Sequence, residues 1–247
     1  MHPLGDASAV FGIGVAAGAL GATVGGGSLL SVPFLIFLGL PPAVAIATDR
    51  FAGLGAGVAG GVRFWIGGRI VWRHVPCLAA ASLVGALVGA SALLRADPEV
   101  LRAAVGVLLV LLVPLLFARR DLGVVATSPT RLRLGVGLVL YLAIQVLAGF
   151  FGPGTGTLVF YVLMVCFGLT ITQAVATQAI PFLLATVASL VLFAAADLVD
   201  YAHGIVLLAG TAVGGFAGAH LALAGGDRWV RRVFAVVVVA AALRLLL

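Results

Sequence analysis

The sequence predicts an all-α polytopic membrane protein built from two homologous repeats, and three observations carry that prediction. Hydrophobic residues make up 63% of the 247 positions and charged residues 9%, against roughly 45–50% and about 25% in soluble domains. No water-facing surface can be built from such a chain. Apolar runs at residues 7–24, 79–94, 101–117, 135–151, 206–223 and 233–247 approach the ~20 residues that cross a ~30 Å hydrocarbon core. Finally, GGGSLLSVPFLIFLGLPPAVAIATDR at 25–50 returns as GTGTLVFYVLMVCFGLTITQAVATQA at 154–179, an offset of 129. The same register pairs Gly27 with Gly156, Thr48 with Thr177, His74 with His203 and Arg102 with Arg231. Threonine, histidine and arginine matches are not cheap in so apolar a chain. A repeat this long is no solenoid unit and points to the two-fold architecture of secondary transporters.

Backbone polar groups at membrane depth must be satisfied within their own segment, so the runs are helices. The absence of period-2 alternation argues against a barrel. The first repeat, residues 1–117, divides into segments near 7–24, 28–40, 45–66, 76–94 and 100–117. Glycines spaced by four mark close helix packing in three of them: Gly14 and Gly18; Gly53, Gly57 and Gly61; Gly85 and Gly89. The second segment, about 20 Å long as a helix, is shorter than a crossing and is expected to be re-entrant or broken. A linker at 118–133, ARRDLGVVATSPTRLR, leads into the second repeat at 134–247. Its segments lie near 134–152, 157–169, 174–196, 204–223 and 230–247, with Gly210, Gly214 and Gly218 in the fourth.

The net charge of +6 comes from arginines gathered in short loops, and the chain has no lysine. That pattern reads as positive-inside topology, and no nucleic-acid motif accompanies it. An odd number of crossings per half puts the loops holding Arg63 to Arg73, Arg119 to Arg133 and Arg228 to Arg232 on one side. The acidic loop at 197–200 then falls on the other, so inverted repeats with both termini outside are expected. No basic n-region precedes the first run, so no cleaved signal peptide is expected. Cys77 and Cys166 lack CxxC spacing, which indicates neither a disulfide framework nor a metal site.

Chemistry concentrates at the breaks. Gly25, Gly26, Gly27 and Ser28 separate two apolar segments, as do Gly154, Thr155, Gly156 and Thr157 in the second copy. Consecutive glycines there leave N–H groups that protein or a watery cavity must satisfy, and N–H groups at a helix start favour an anion. Tight helix packing is the alternative reading of these glycines. AIATDR and its copy AVATQA add Thr48, Asp49 and Arg50, matched by Thr177 and Gln178. Arg50 is a candidate fixed positive charge, and Thr48, Thr177 and Gln178 are candidate neutral donors. A salt bridge capping the third segment is the competing account of Asp49 and Arg50. Since Asp-Arg becomes Gln-Ala in the second copy, the site is expected to be charged on one side only. His74 and His203 are candidates for proton coupling, with interfacial snorkelling as the alternative.

The motifs GGGSLLSVPFLIFLGLPPAVAIATDR and GFFGPGTGTLVFYVLMVCFGLTITQAVATQ resemble the paired signatures of the TauE/SafE sulfite exporter family, in its branch with a GPGTG second copy. The resemblance runs from about Gly12 to Leu247. It implies a multi-helix inner-membrane permease for small anions such as sulfite, sulfoacetate or thiosulfate. It also implies a basic residue after the first Ala-Thr, which Arg50 matches with a two-residue offset. Family members often carry lysine and asparagine after the second Ala-Thr, where this chain has Gln178, Ala179 and Ile180.

The expected function is anion transport by alternating access, with proton coupling open and an anion channel as the nearest alternative. An enzyme is not expected, since Glu99 stands alone in a loop and GxSxG, HExxH and paired intramembrane aspartates are missing. Expected partners are a small anionic substrate and the lipid bilayer, with a second copy of the chain as a candidate. No cofactor, metal or nucleic acid is expected. The expected location is the bacterial cytoplasmic membrane.

Overall fold

The computed structural model describes residues 3–95, 126 and 128–246, with side chains placed at 7–95, 126, 128–230, 232 and 233. The expected segment at 100–117 and most of the 118–133 linker lie outside the described residues. Among the described residues there is helix and no strand: α1 (Pro3–Val24), α2 (Ser28–Phe37), α3 (Pro42–Ile66), α4 (Val75–Leu93), α5 (Arg131–Phe150), α6 (Thr155–Phe167), α7 (Ile171–Ala195) and α8 (Tyr201–Leu246). Five stretches among them are long and apolar enough to cross a membrane: Ala7–Val24, Trp72–Leu93, Arg131–Phe150, Ile171–Ala195 and Tyr201–Val230. The all-α polytopic fold read from the sequence is therefore the observed one.

Local chemistry sets the boundaries. Pro42 opens α3 in the first turn, where its missing N–H has no helical partner to lose. Thr170 and Gln173 form a capping box at the start of α7. The two short helices stop at equivalent glycines in the left-handed region, Gly39 (φ +97°) and Gly168 (φ +69°). The second repeat's expected fourth and fifth segments form the single helix α8, interrupted at Gly226 (φ 67°, ψ −176°). A left-handed glycine bends the chain there without a loop.

Two apolar clusters reveal the directions of the helices. Phe64, Leu78, Tyr141, Phe167, Ile171 and Ala222 belong to one, and Val10, Leu35, Ala45, Leu93, Phe193 and Leu207 to the other. Helices α1, α3 and α8 run from the second cluster towards the first, whereas α4, α5 and α7 run from the first to the second. Each of α5, α7 and α8 thus runs opposite to its counterpart in the repeat: α1, α3 and α4 respectively. The packing is also exchanged, with α1 and α3 against α8 and with α5 and α7 against α4. Small residues make these seams close. A Cβ on Gly14 would lie 2.8 Å from the Leu207 carbonyl oxygen, and one on Gly85 would lie 2.6 Å from the Gln145 Cβ.

Outward-facing Val62, Val88, Val139 and Val191 suit lipid contact. Trp65 and Trp72 stack edge to face at 6.4 Å at the end of α3, next to Arg69 and Arg73 in the loop before α4. Aromatics of this kind mark the membrane–water boundary.

Candidate functional site

The short helices create the site. Helix α2, with 10 residues, and α6, with 13, are each too short to cross. α1 and α2 form a hairpin that opens towards the second cluster, and α5 and α6 form one that opens towards the first. The two bends meet inside the protein. Gly25 and Gly154, equivalent in the repeat, both adopt φ +78°, and a Cβ on Gly25 would lie 2.8 Å from the Thr157 backbone nitrogen. Thr157 Oγ1 donates to the Val24 carbonyl at 3.1 Å, joining the bends.

Where the bends meet, the helix starts border a cavity of about 150 Å³ that reaches α1, α3, α5 and α7. One water needs roughly 10–15 Å³ on this measure, so there is room for a small polyatomic ion. Gly27, Ser28 and Gly156 line it, and no hydrogen bond among the described residues engages their backbone N–H groups. Those groups carry the positive ends of two helix dipoles.

From α3, Asp49 and Arg50 both face this cavity. Ser28 Oγ donates to the Asp49 carboxylate at 2.6 Å, and Ser31 Oγ donates to its other oxygen. Arg50 donates from Nη2 to the Ala148 carbonyl in the last turn of α5, at the negative end of that helix. Its guanidinium lies against Gly152, where a Cβ would be 2.9 Å from Nη2. No salt bridge joins Asp49 to Arg50 among the described residues. Arg50 therefore keeps donors available to the cavity, beyond the one held by Ala148.

Opposite them, Gln178 stands where the repeat has Asp49, and it also lines the cavity. Tyr141 O–H donates to Gln178 Oε1 at 2.7 Å. Tyr141 in turn accepts from Gln145 Nε2 at 3.1 Å and lies 2.7 Å from Ser82 Oγ, while Gln145 Nε2 also donates to Ser82. With its carbonyl held by Tyr141, the Gln178 amide presents its N–H groups to the cavity. Tyr141, Gln145, Ser82 and Ser31 were not singled out from the sequence. Gln145 could have been, as an amide within an otherwise apolar run.

Other sequence candidates lie elsewhere. Thr48 and Thr177 are fully buried and do not border the cavity. Thr48 Oγ1 accepts from the Asp200 N–H at 3.0 Å, and Thr177 Oγ1 accepts from the Val71 N–H at 3.0 Å. Positions 71 and 200 are themselves equivalent in the repeat, so this is one staple made twice. Thr155 borders the cavity but donates its hydroxyl to the Gly152 carbonyl at 2.6 Å. Gly26, Gly154 and Thr157 are adjacent to the lining rather than part of it.

Neither histidine candidate borders the cavity. His74 is buried edge-on to Phe167 at 5.2 Å and takes the Arg73 Nε–H at 3.0 Å. His203 Nδ1 is 2.9 Å from Asp200 Oδ2. Burial alone would push the Asp200 carboxyl up, but the hydrogen bonds from His203 and Ala202 outweigh it and hold the group below the usual carboxylate range. No cluster of three metal-ligating side chains occurs among the described residues.

The sequence profile of the Sulfite exporter TauE/SafE family matches residues 10–245. The chain belongs to that family. Among curated relatives, a "Probable membrane transporter protein" of Haemophilus influenzae is 23% identical over 222 residues, covering 90% of this chain and 87% of the relative. "Probable membrane transporter protein YfcA" of Escherichia coli is 25% identical over 234 residues, covering 92% and 85%. "Probable membrane transporter protein ORF9" of a Sinorhizobium species is 24% identical, covering 93% and 88%. No solved structure matches the chain significantly. As a TauE/SafE member with five candidate spans, the protein is an integral, multi-pass membrane transporter by family.

Proposed function

We propose that this protein is a secondary transporter that carries small sulfur-containing anions, such as sulfite, thiosulfate or sulfoacetate, across a bacterial cytoplasmic membrane by alternating access. The observation that carries the reading is convergence. Arg50, Gln178 and the starts of two broken helices, with N–H groups that no protein acceptor engages among the described residues, all line one cavity. An oxyanion needs several donors and a positive potential, and helix N-termini with an arginine supply both. Discontinuous helices whose N-terminal ends point at an anionic group are the transporter form of this arrangement. Alternating access is supported by the exchanged packing: α1 and α3 pack on α8, and α5 and α7 on α4, which gives two groups of helices that meet at a shared site, with α3 against α7 between them.

The test is exchange in proteoliposomes loaded with sulfite, thiosulfate or sulfoacetate and challenged with the labelled anion outside. Saturable counterflow of at least one of them is expected. Flux that rises linearly with concentration and shows no counterflow would indicate a channel. No flux of any of the three above protein-free vesicles would reject the substrate class.

A further inference from the structure

We propose that Asp49 binds a proton each time the cavity binds a monovalent anion, of which hydrogen sulfite is the member in the class argued above, so that the two are carried together and the site keeps its net charge. This rests on the anion site argued above. Among the described residues that line the cavity, Asp49 and Arg50 are the ones that ionise. No salt bridge joins them, because each is committed to a different element: Asp49 to the serines of α2, Arg50 to the last turn of α5. The described lining therefore holds one negative and one positive group that are not paired with each other in a salt bridge, a net charge of zero.

A monovalent anion entering beside Arg50 also enters beside the Asp49 carboxylate. Two like charges so close inside a protein are costly. Protonating Asp49 removes that repulsion and returns the loaded cavity to zero. Empty and loaded sites then cross the low-dielectric membrane with equal charge, which is the least costly arrangement for both.

The surroundings allow the proton to come and go. Asp49 is held by the hydroxyls of Ser28 and Ser31 from α2, and the other polar side chains on the described lining besides Arg50, Gln145 from α5, Thr155 from α6, Gln178 from α7 and Thr211 from α8, carry no charge. The next acid–base pair, Asp200 and His203, sits at the start of α8, off the cavity. Ionised Asp49 accepts from both serines. Once protonated it is a donor, so one serine must turn from donor to acceptor. Both serines lie in the first turn of α2, whose start, with its unengaged N–H groups, borders the cavity. The proton and the anion are thus read by the same short helix.

The test uses purified full-length protein and methanesulfonate, a sulfonate whose charge does not change over the working pH range. Proton uptake is followed with an indicator dye while the anion is titrated in weakly buffered detergent solution. The wild type should take up about one proton per anion bound, and by reciprocity its affinity should fall about tenfold per pH unit on the alkaline side. Asp49→Asn, a neutral mimic of the protonated acid, should bind the anion with no proton uptake and no pH dependence. Asp49→Glu should retain the uptake, and serves also if Asp49→Asn does not fold. Binding by the wild type without proton uptake overturns the proposal while leaving the anion site standing. Proton uptake that persists in Asp49→Asn, or loss of binding in a folded Asp49→Asn, also overturns it. If the wild type binds no methanesulfonate, sulfite or thiosulfate at any pH, the anion site itself fails, and the proposal with it.

Discussion

Arg50 has two attachments, and they predict separable effects. Its contact with the Ala148 carbonyl ties α3 to α5, while its other donors face the cavity. Arg50→Gln should weaken anion binding by more than about 1.5 kcal/mol, roughly tenfold, because charge-assisted hydrogen bonds contribute about that much or more. Arg50→Lys should recover part of the affinity, since the charge survives and the planar fork does not. Binding isotherms on the three proteins decide this, and unchanged affinity in Arg50→Gln removes Arg50 from the site. Asp200 gives a pH-dependent prediction. Its folded carboxyl titrates below the ordinary 3.8, so its stabilising contribution is complete above that value and disappears as pH falls through the lower folded value. Asp200→Asn should therefore lower the melting temperature at neutral pH, and the gap from wild type should close in strong acid. A constant gap would mean that the charge is irrelevant. Asp49 and Arg50 were legible in the sequence because charges are rare between apolar segments. Tyr141 and Ser82 were not, since what gives them meaning is Gln178, which arrives from another helix.

At the scale of the element, the glycines divide by where a side chain would go. A Cβ on Gly18 would lie 2.8 Å from the backbone nitrogen of Gly215 in α8, whereas one on Gly12, in the same helix, would meet nothing within 4 Å. Gly18→Ala should lower the melting temperature clearly and Gly12→Ala should leave it nearly unchanged. Equal effects from both would mean that helix propensity, not the α1–α8 seam, is being measured. The two threonine staples make a paired prediction. Thr48→Val and Thr177→Val keep the shape of the side chain but strand the N–H of Asp200 or Val71, and an unpaired buried donor costs roughly 1–3 kcal/mol. The two losses should be similar, with anion affinity intact, as judged by melting curves and binding together. Repetition of Thr48 at Thr177 was visible in the sequence; its purpose was not. A threonine beside an aspartate and an arginine reads as a ligand, and the backbone it holds lies 152 residues away in one case and 106 in the other.

For the whole molecule, the strongest sequence signal was the duplication, and the structure gives it a geometry that a linear pattern cannot hold. Helix direction follows from which end of each segment enters which cluster, and equivalent helices enter in opposite order. Charge follows the same division. Arg63 packs on His220 and Arg133 donates to the Val165 carbonyl, while Thr172 donates its N–H to Asp227 at 2.9 Å. These residues flank the ends of helices that feed the first cluster. Asp197 and Asp200 follow the end of α7 that feeds the second, along with His203. Arginine-rich loops are held on the cytoplasmic side, so the first-cluster end should face the cytoplasm and the second-cluster end the exterior. A reporter joined after Arg120, within the linker that precedes α5, should therefore score cytoplasmic, and one inserted near Asp200 should score external. α7 crosses in the outward direction under this arrangement and α3 in the inward one, so the two faces of the central cavity would be offered to opposite sides by the same motif. Both reporters scoring on one side would end the inverted arrangement. It would also remove the argument that the two conformations arise by the repeats trading equivalent arrangements around Asp49, Arg50 and Gln178, because that exchange requires halves of opposite orientation.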